Sequence, residues 1–216
     1  MIFDVNENLL DLTPMRIRIN QLLGSTEAFD QWFPKLIQFS MVETLSGSYS
    51  DFGQIGAATL EMTAQSFKKS ISKKDIKSTL AIITQLDPHP EVLESLKVLK
   101  KDGFRLVALT NGGKVTLQKQ MKYSGLITQF DALYSIESVK KFKPHPDAYQ
   151  HVLKTENCQP EDAMLIAVHA WDVVGAQSMG LQTAFIQRPG KYTYPNSKEP
   201  TLRAQNLNEF LLKIES

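Results

Sequence analysis

The chain has 216 residues, of which 42% are hydrophobic, enough to bury a sizeable core in one large domain or in one domain carrying an insertion. Its 24 basic and 23 acidic residues leave a net charge of +1, so no field of one sign is available to hold nucleic acid or an anionic membrane, and neither is expected as a partner. The single cysteine, Cys158, cannot form an internal disulfide, and the amino terminus lacks a basic segment followed by a long apolar run; a cytoplasmic location is expected.

In chain order, Met1 to Phe3 form a short apolar run that ends in Asp4, and Asn6, Glu7 and Asn8 then favour a turn. This predicts a strand stub with a carboxylate at its tip. From about Thr13 to Leu86 apolar residues recur at helical spacing, with one stripe at Phe29, Trp32, Phe33, Leu36, Ile37 and Met41 and another at Ile55, Ala58, Leu60, Met62 and Phe67. Such stripes are core before they are substrate pocket. The prolines of Asp87-Pro88-His89-Pro90 end this block, and helical and strand-like segments alternate afterwards. Helices are predicted over 91–102, 115–123, 147–155 and 171–179. Strands are predicted over 104–110 (FRLVALT), 132–136, 164–168 (MLIAV) and, as the last, 182–186. That alternation predicts an α/β fold: a doubly wound, Rossmann-like parallel sheet core, residues 1–13 and 87–216, with an inserted helical cap domain over 14–86.

In such a sheet, ligands bind beyond the carboxyl ends of the strands. The polar residues there are Asp4, Thr110 and Asn111, Lys143 in the loop after the 132–136 strand, and His169 to Asp172. A carboxylate can attack an electrophilic carbon or phosphorus, and an ammonium beside it keeps it ionised. Lys143 is the expected counter-ion of Asp4, with Asp172 holding Lys143 or orienting a water. Thr110, Asn111 and the free N–H groups of the next helix offer donors for an anionic substrate group. Each residue alone has a plainer reading: Asp4 as a turn cap, Lys143 as a solvated lysine, Asp172 as a helix-start carboxylate, and His169 as a structural histidine.

Asp4, Thr110-Asn111-Gly112, Lys143-Pro144 and Asp172 fall in the order of the four motifs of the haloacid dehalogenase superfamily. Within it, HAWDVVGAQSMGLQTAFIQRPG, FKPHPDAY and the segment around Trp32 to Phe52 resemble type II 2-haloacid dehalogenases. The resemblance implies a hydrolase in which Asp4 displaces halide from a short 2-haloalkanoic acid, leaving an aspartyl ester that water hydrolyses. It further implies Asp4, Lys143 and Asp172 as catalytic residues, to which His169 is added for its place at a strand end. Thr110, Asn111 and Tyr149 are the implied substrate-binding residues, Asn8 is added as an amide donor, no metal or cofactor is implied, and a homodimer is compatible. Phosphatases of the superfamily carry an aspartate where this chain has Asn6, which has no proton to exchange. The alternatives are a Mg2+-dependent small-molecule phosphatase, with Asp4 and Asp172 as a weak metal site, and a catalytically weak anion-binding member. Departures from the resembling family stand at five positions. Glu7 and Asn8 replace a glycine and a threonine, and Phe33 replaces a cap arginine, with no arginine between Arg18 and Arg105. Ala167 and His169 replace a serine and an asparagine that position water, so His169 is expected to act there as base or donor.

Overall fold

The structure, a computed structural model, describes residues 1–214. Strand β1 (Ile2–Phe3) leads into four helices, α1 (Thr13–Leu23), α2 (Ala28–Ser46), α3 (Phe52–Ser66) and α4 (Lys73–Ala81). Local chemistry sets their ends. Pro14 sits in the first turn of α1 and Gly24 closes it at φ 67°. Reciprocal capping boxes start α3 (Asp51 with Gln54) and α4 (Ser72 with Asp75). Of the α2 stripe, Phe29, Trp32, Leu36 and Ile37 are buried while Phe33 and Met41 are half-buried, and the Trp32 indole N–H donates to the Gly56 carbonyl at 3.0 Å across to α3, where Ala58 and Met62 of the second predicted stripe face outward. Among the described residues no helix is long and apolar enough to cross a membrane.

The chain then alternates through α5 (Val92–Lys101), β2 (Val107–Thr110), α6 (Lys114–Tyr123), β3 (Ala132–Ser135), α7 (Pro146–Glu156), β4 (Met164–Ala167), α8 (Ala170–Ser178) and β5 (Gln182–Ile186). All strand pairs are parallel, in the order β3-β2-β1-β4-β5-β6. Chain progression reverses at β1, which lies between β2 and β4 with Phe3 paired to Ala108 and Ile166. Asp4 is therefore delivered to the crevice between those two strand ends. The α/β class and the parallel, doubly wound order agree with the sequence expectation.

Two expectations need correction. The strand expected from Phe104 starts only at Val107, because Leu106 donates its N–H to the Asp131 carboxylate at 2.8 Å and Phe104 and Arg105 turn to the surface. Nor is 182–186 the last strand. A short β6 (Leu202–Ala204) adds to the edge and α9 (Leu207–Ile214) packs behind it. The signal for α9 was present in Asn206, whose side chain caps the Glu209 N–H at 3.0 Å, followed by apolar Leu207, Phe210, Leu211 and Ile214. Three residues with Arg203 at the centre carry no comparable strand signal.

Helix α8 approaches the Lys143-Pro144 loop at Gly175, where a Cβ would lie 2.5 Å from Pro144 Cβ and 2.5 Å from the Tyr149 hydroxyl. Neither neighbour has a flexible end to withdraw. Gly175→Ala is expected to cost about 1–3 kcal/mol through overpacking, read as a lower urea midpoint.

Candidate active site

Asp4 is held by its own backbone, which donates from N to the Ile166 carbonyl at 3.0 Å. Its carboxylate is 5% exposed, and each oxygen meets a different cation. Lys143 Nζ lies 2.9 Å from Oδ1 and His169 Nδ1 3.1 Å from Oδ2. Lys143, 1% exposed, spends its three N–H bonds on Asp4, on the Leu109 carbonyl at 3.1 Å and on Asp172 Oδ2 at 2.6 Å. The Lys143 backbone N–H donates to Asn111 Oδ1 at 2.8 Å, so β2 also sets where the loop places its ammonium.

Burial alone would raise the Asp4 pKa, but Lys143 and His169 outweigh it and hold the carboxyl below the usual range, ionised at neutral pH. For Asp172, burial together with the like charge of Asp4 pushes the pKa up against the pull of Lys143. Burial opposes charge on Lys143, yet the two carboxylates win and keep it protonated. The Lys143 ammonium lies between the Asp4 and Asp172 carboxylates, which share it.

His169 precedes the first turn of α8 without capping it by its side chain, and it is buried. Its Nε2 lies 2.8 Å from Glu7 Oε2, which also takes Lys191 Nζ at 2.6 Å. Burial would depress the imidazole pKa, but hydrogen bonds and charge from Asp4 and Glu7 raise it above the ordinary value. In this state both ring nitrogens donate, so His169 is a second cation on the nucleophile rather than a free base. The ring is flanked by Trp171 (centroids 5.1 Å apart, stacked) and by Phe33 of α2 (5.8 Å).

Asp4, Lys143 and His169 open on a small cavity that Asn6, Thr110 and Asn111 also line, with Phe33, Ile37 and Phe52 of the inserted helices and Trp171 forming its apolar wall. Asn111 Nδ2 is buried without a hydrogen-bond partner, a donor left for something that enters. The Thr110 hydroxyl accepts from the Gly112 N–H at 3.1 Å and retains its own proton to donate. The α6 start is less free than its sequence implies, since the Lys114 N–H is taken by the Glu137 carboxylate at 2.8 Å. No arginine lines this cavity; the wall at Phe33 is aromatic.

Two expected substrate contacts are corrected. Asn8 is fully buried and donates both amide protons to backbone carbonyls, of Asp4 at 2.9 Å and Ile166 at 3.0 Å, so it braces the β1–β4 crevice from behind. Tyr149 is also fully buried and its hydroxyl donates to Asp172 Oδ1 at 2.6 Å. It reaches the site only through Asp172. Burial, then Asp172, keep that phenol protonated far above its usual pKa. The residue that sequence reasoning missed is Glu7, whose place in a turn gave no sign that its side chain reaches His169.

Replacing Lys143 by Met removes the charge that Asp4 and Asp172 share and is expected to cost about 3–5 kcal/mol at pH 7. Without the ammonium the Asp172 pKa, already above its unfolded value, rises further, and that of Asp4 rises with it. The penalty is then full at neutral pH and shrinks on acidification as one carboxyl takes a proton. Urea unfolding from pH 7 to pH 5 measures it, and a penalty that grows on acidification would contradict the shared-ammonium account.

The chain is similar over 219 residues, at 26% identity, to (S)-2-haloacid dehalogenase 1 of Pseudomonas sp. (strain CBS-3), covering 99% of this chain and 96% of that protein. It is 30% identical over 159 residues to haloacetate dehalogenase H-2 of Moraxella sp. (strain B), 74% of this chain and 71% of that one. The L-2-haloacid dehalogenase of Xanthobacter autotrophicus, in a structure with chloropropionic acid covalently bound, shares the fold with a TM-score of 0.92 at 20% identity over 100% of this chain and 97% of that one. Residues 1–186 match the haloacid dehalogenase-like hydrolase family, and with its nucleophile candidate at the β1 tip and its lysine between two carboxylates, the chain belongs to that family.

Proposed function

We propose that this chain hydrolyses the carbon–halogen bond of a short 2-haloalkanoic acid through an ester on Asp4. The observation that carries the reading is a buried, ionised carboxylate facing a small, largely apolar cavity beside an unpaired amide donor. The substrate carboxylate rests on Asn111 Nδ2 and the Thr110 hydroxyl, which aims C2 at Asp4. An Asp4 oxygen forms the new C–O bond as the C–X bond breaks and the electron pair leaves with halide. Water then attacks the ester and releases the 2-hydroxy acid. Phe33, Ile37 and Phe52 exclude bulk water around the displacement, which makes the inserted helices a cap over the substrate. The 2-haloacid and haloacetate dehalogenases among its relatives support the substrate class. The balanced charge and lone cysteine fit a cytoplasmic enzyme.

Phosphoryl transfer fits less well. Asn6 stands where a leaving-group acid would be needed, and its Oδ1 accepts from Gln120 Nε2 at 2.9 Å. An amide so placed supplies no proton.

Chloroacetate and 2-chloropropionate are expected to release halide with EDTA present, and Asp4→Asn to lose that activity by roughly three orders of magnitude or more. A single turnover in 18O-water should place the label in Asp4 rather than in the hydroxy acid, as mass spectrometry would show. Label entering the product directly would instead mean that water attacks C2, and phosphate-ester cleavage requiring Mg2+ without halide release would replace the reading altogether.

A further inference from the structure

We propose that Glu7 and His169 are the pair that activates water for hydrolysis of the Asp4 ester, with Lys191 holding Glu7 in place; this rests on the covalent reading above. His169 presents Nδ1 to the nucleophile at 3.1 Å and Nε2 to a carboxylate that takes no part in bond making, at 2.8 Å. A base next to the reacting group and oriented by a third group is the arrangement that proton transfer requires. Trp171 and Phe33 flank the imidazole and restrict its plane. Glu7 itself adopts φ 62°, in the left-handed region that favours glycine. The conformation disfavours a side chain there, and yet Glu7 directs one to the histidine, where Lys191 anchors it at 2.6 Å. The charged groups facing His169 are Asp4 and Glu7, with Lys143 and Lys191 one step behind them.

The two half-reactions need His169 in different protonation states, and the chemistry at Asp4 supplies the change. Before reaction the imidazolium pairs with the Asp4 carboxylate. Alkylation turns that carboxylate into a neutral ester, which no longer holds the Nδ1 proton, and this proton passes to solvent while Glu7 retains Nε2–H. Neutral Nδ1 then takes a proton from water as the water oxygen bonds to the ester carbon. The tetrahedral adduct breaks its bond to the alkoxide, which leaves with the adduct's hydroxyl proton as the hydroxy acid. Asp4 is again a carboxylate beside an imidazolium, one water has been consumed and one proton released. Glu7 is a positioning residue acting through His169, which is the catalytic one.

Rapid-quench measurement with 2-chloropropionate separates the steps in the wild type, E7Q and E7G, reading halide, hydroxy acid and intact-protein mass. E7G relieves the left-handed backbone, so misfolding does not account for its behaviour. In both variants the first equivalent of halide should appear within about threefold of the wild-type rate. Hydroxy acid formation should slow by roughly tenfold or more, and the ester adduct should accumulate. In E7Q the acid limb of the hydrolysis rate should also move to lower pH, because losing the Glu7 charge lowers the proton affinity of His169. Hydrolysis unchanged in both variants, or halide and hydroxy acid slowing in parallel without an adduct, would overturn this assignment alone. A wild type that releases no halide would overturn the dehalogenase reading and the assignment with it.

Discussion

A lysine ammonium buried between two carboxylates ties this molecule together. Lys143 Nζ meets Asp4 from β1, the Leu109 carbonyl from β2 and Asp172 from α8, so three separate parts of the sheet's carboxyl edge must be in register for it to be satisfied. Charges removed from water are tolerated only when every donor finds an acceptor, and breaking such a set costs more than assembling it contributes. The neighbouring constraints serve that condition. Asn111 pins the lysine backbone, Tyr149 completes Asp172, Asn8 braces Asp4 and Ile166, and Gly175 lets α8 come close enough to the Lys143-Pro144 loop.

The same arrangement makes the carboxylate usable. Asp4 remains ionised although buried, because it faces one cation on each oxygen. Helix α2 and the start of α3 complete the enclosure with Phe33, Ile37 and Phe52, which lower the local dielectric and strengthen each of these charge interactions. The inserted helices therefore contribute through their apolar faces, while the sheet edge contributes the charges. With an aromatic ring at Phe33 in place of a cation, the cavity's positive charge comes from Lys143 and His169 alone.

Beyond Asp4 the charges continue as an alternating row, from His169 to Glu7 to Lys191. Each member is held by the one before it, so a change of charge at Asp4 is felt first at His169. This links the electrostatics of the resting site to what happens when the nucleophile becomes an ester. It also gives a side-chain role to a glutamate whose left-handed backbone is held by hydrogen bonds with Leu10 and His89.

By itself the sequence determined the class of fold and the identity of the central charges. Alternating strand and helix periodicity after the 87–90 turn implies a parallel sheet, and polar residues that follow apolar strands must gather at its carboxyl edge. Asp4, Thr110, Asn111, Lys143, His169 and Asp172 were legible on those grounds, because strand ends are read from local pattern. The tertiary structure decided which way each side chain points. Asn8 and Tyr149 turn inward to satisfy buried acceptors, and Glu7 reaches across to His169, since residues in turns have no period from which a direction follows. Edge strand β6 also depended on tertiary contact, because three residues carry too little hydrophobic signal to pair without the strand already in place beside them.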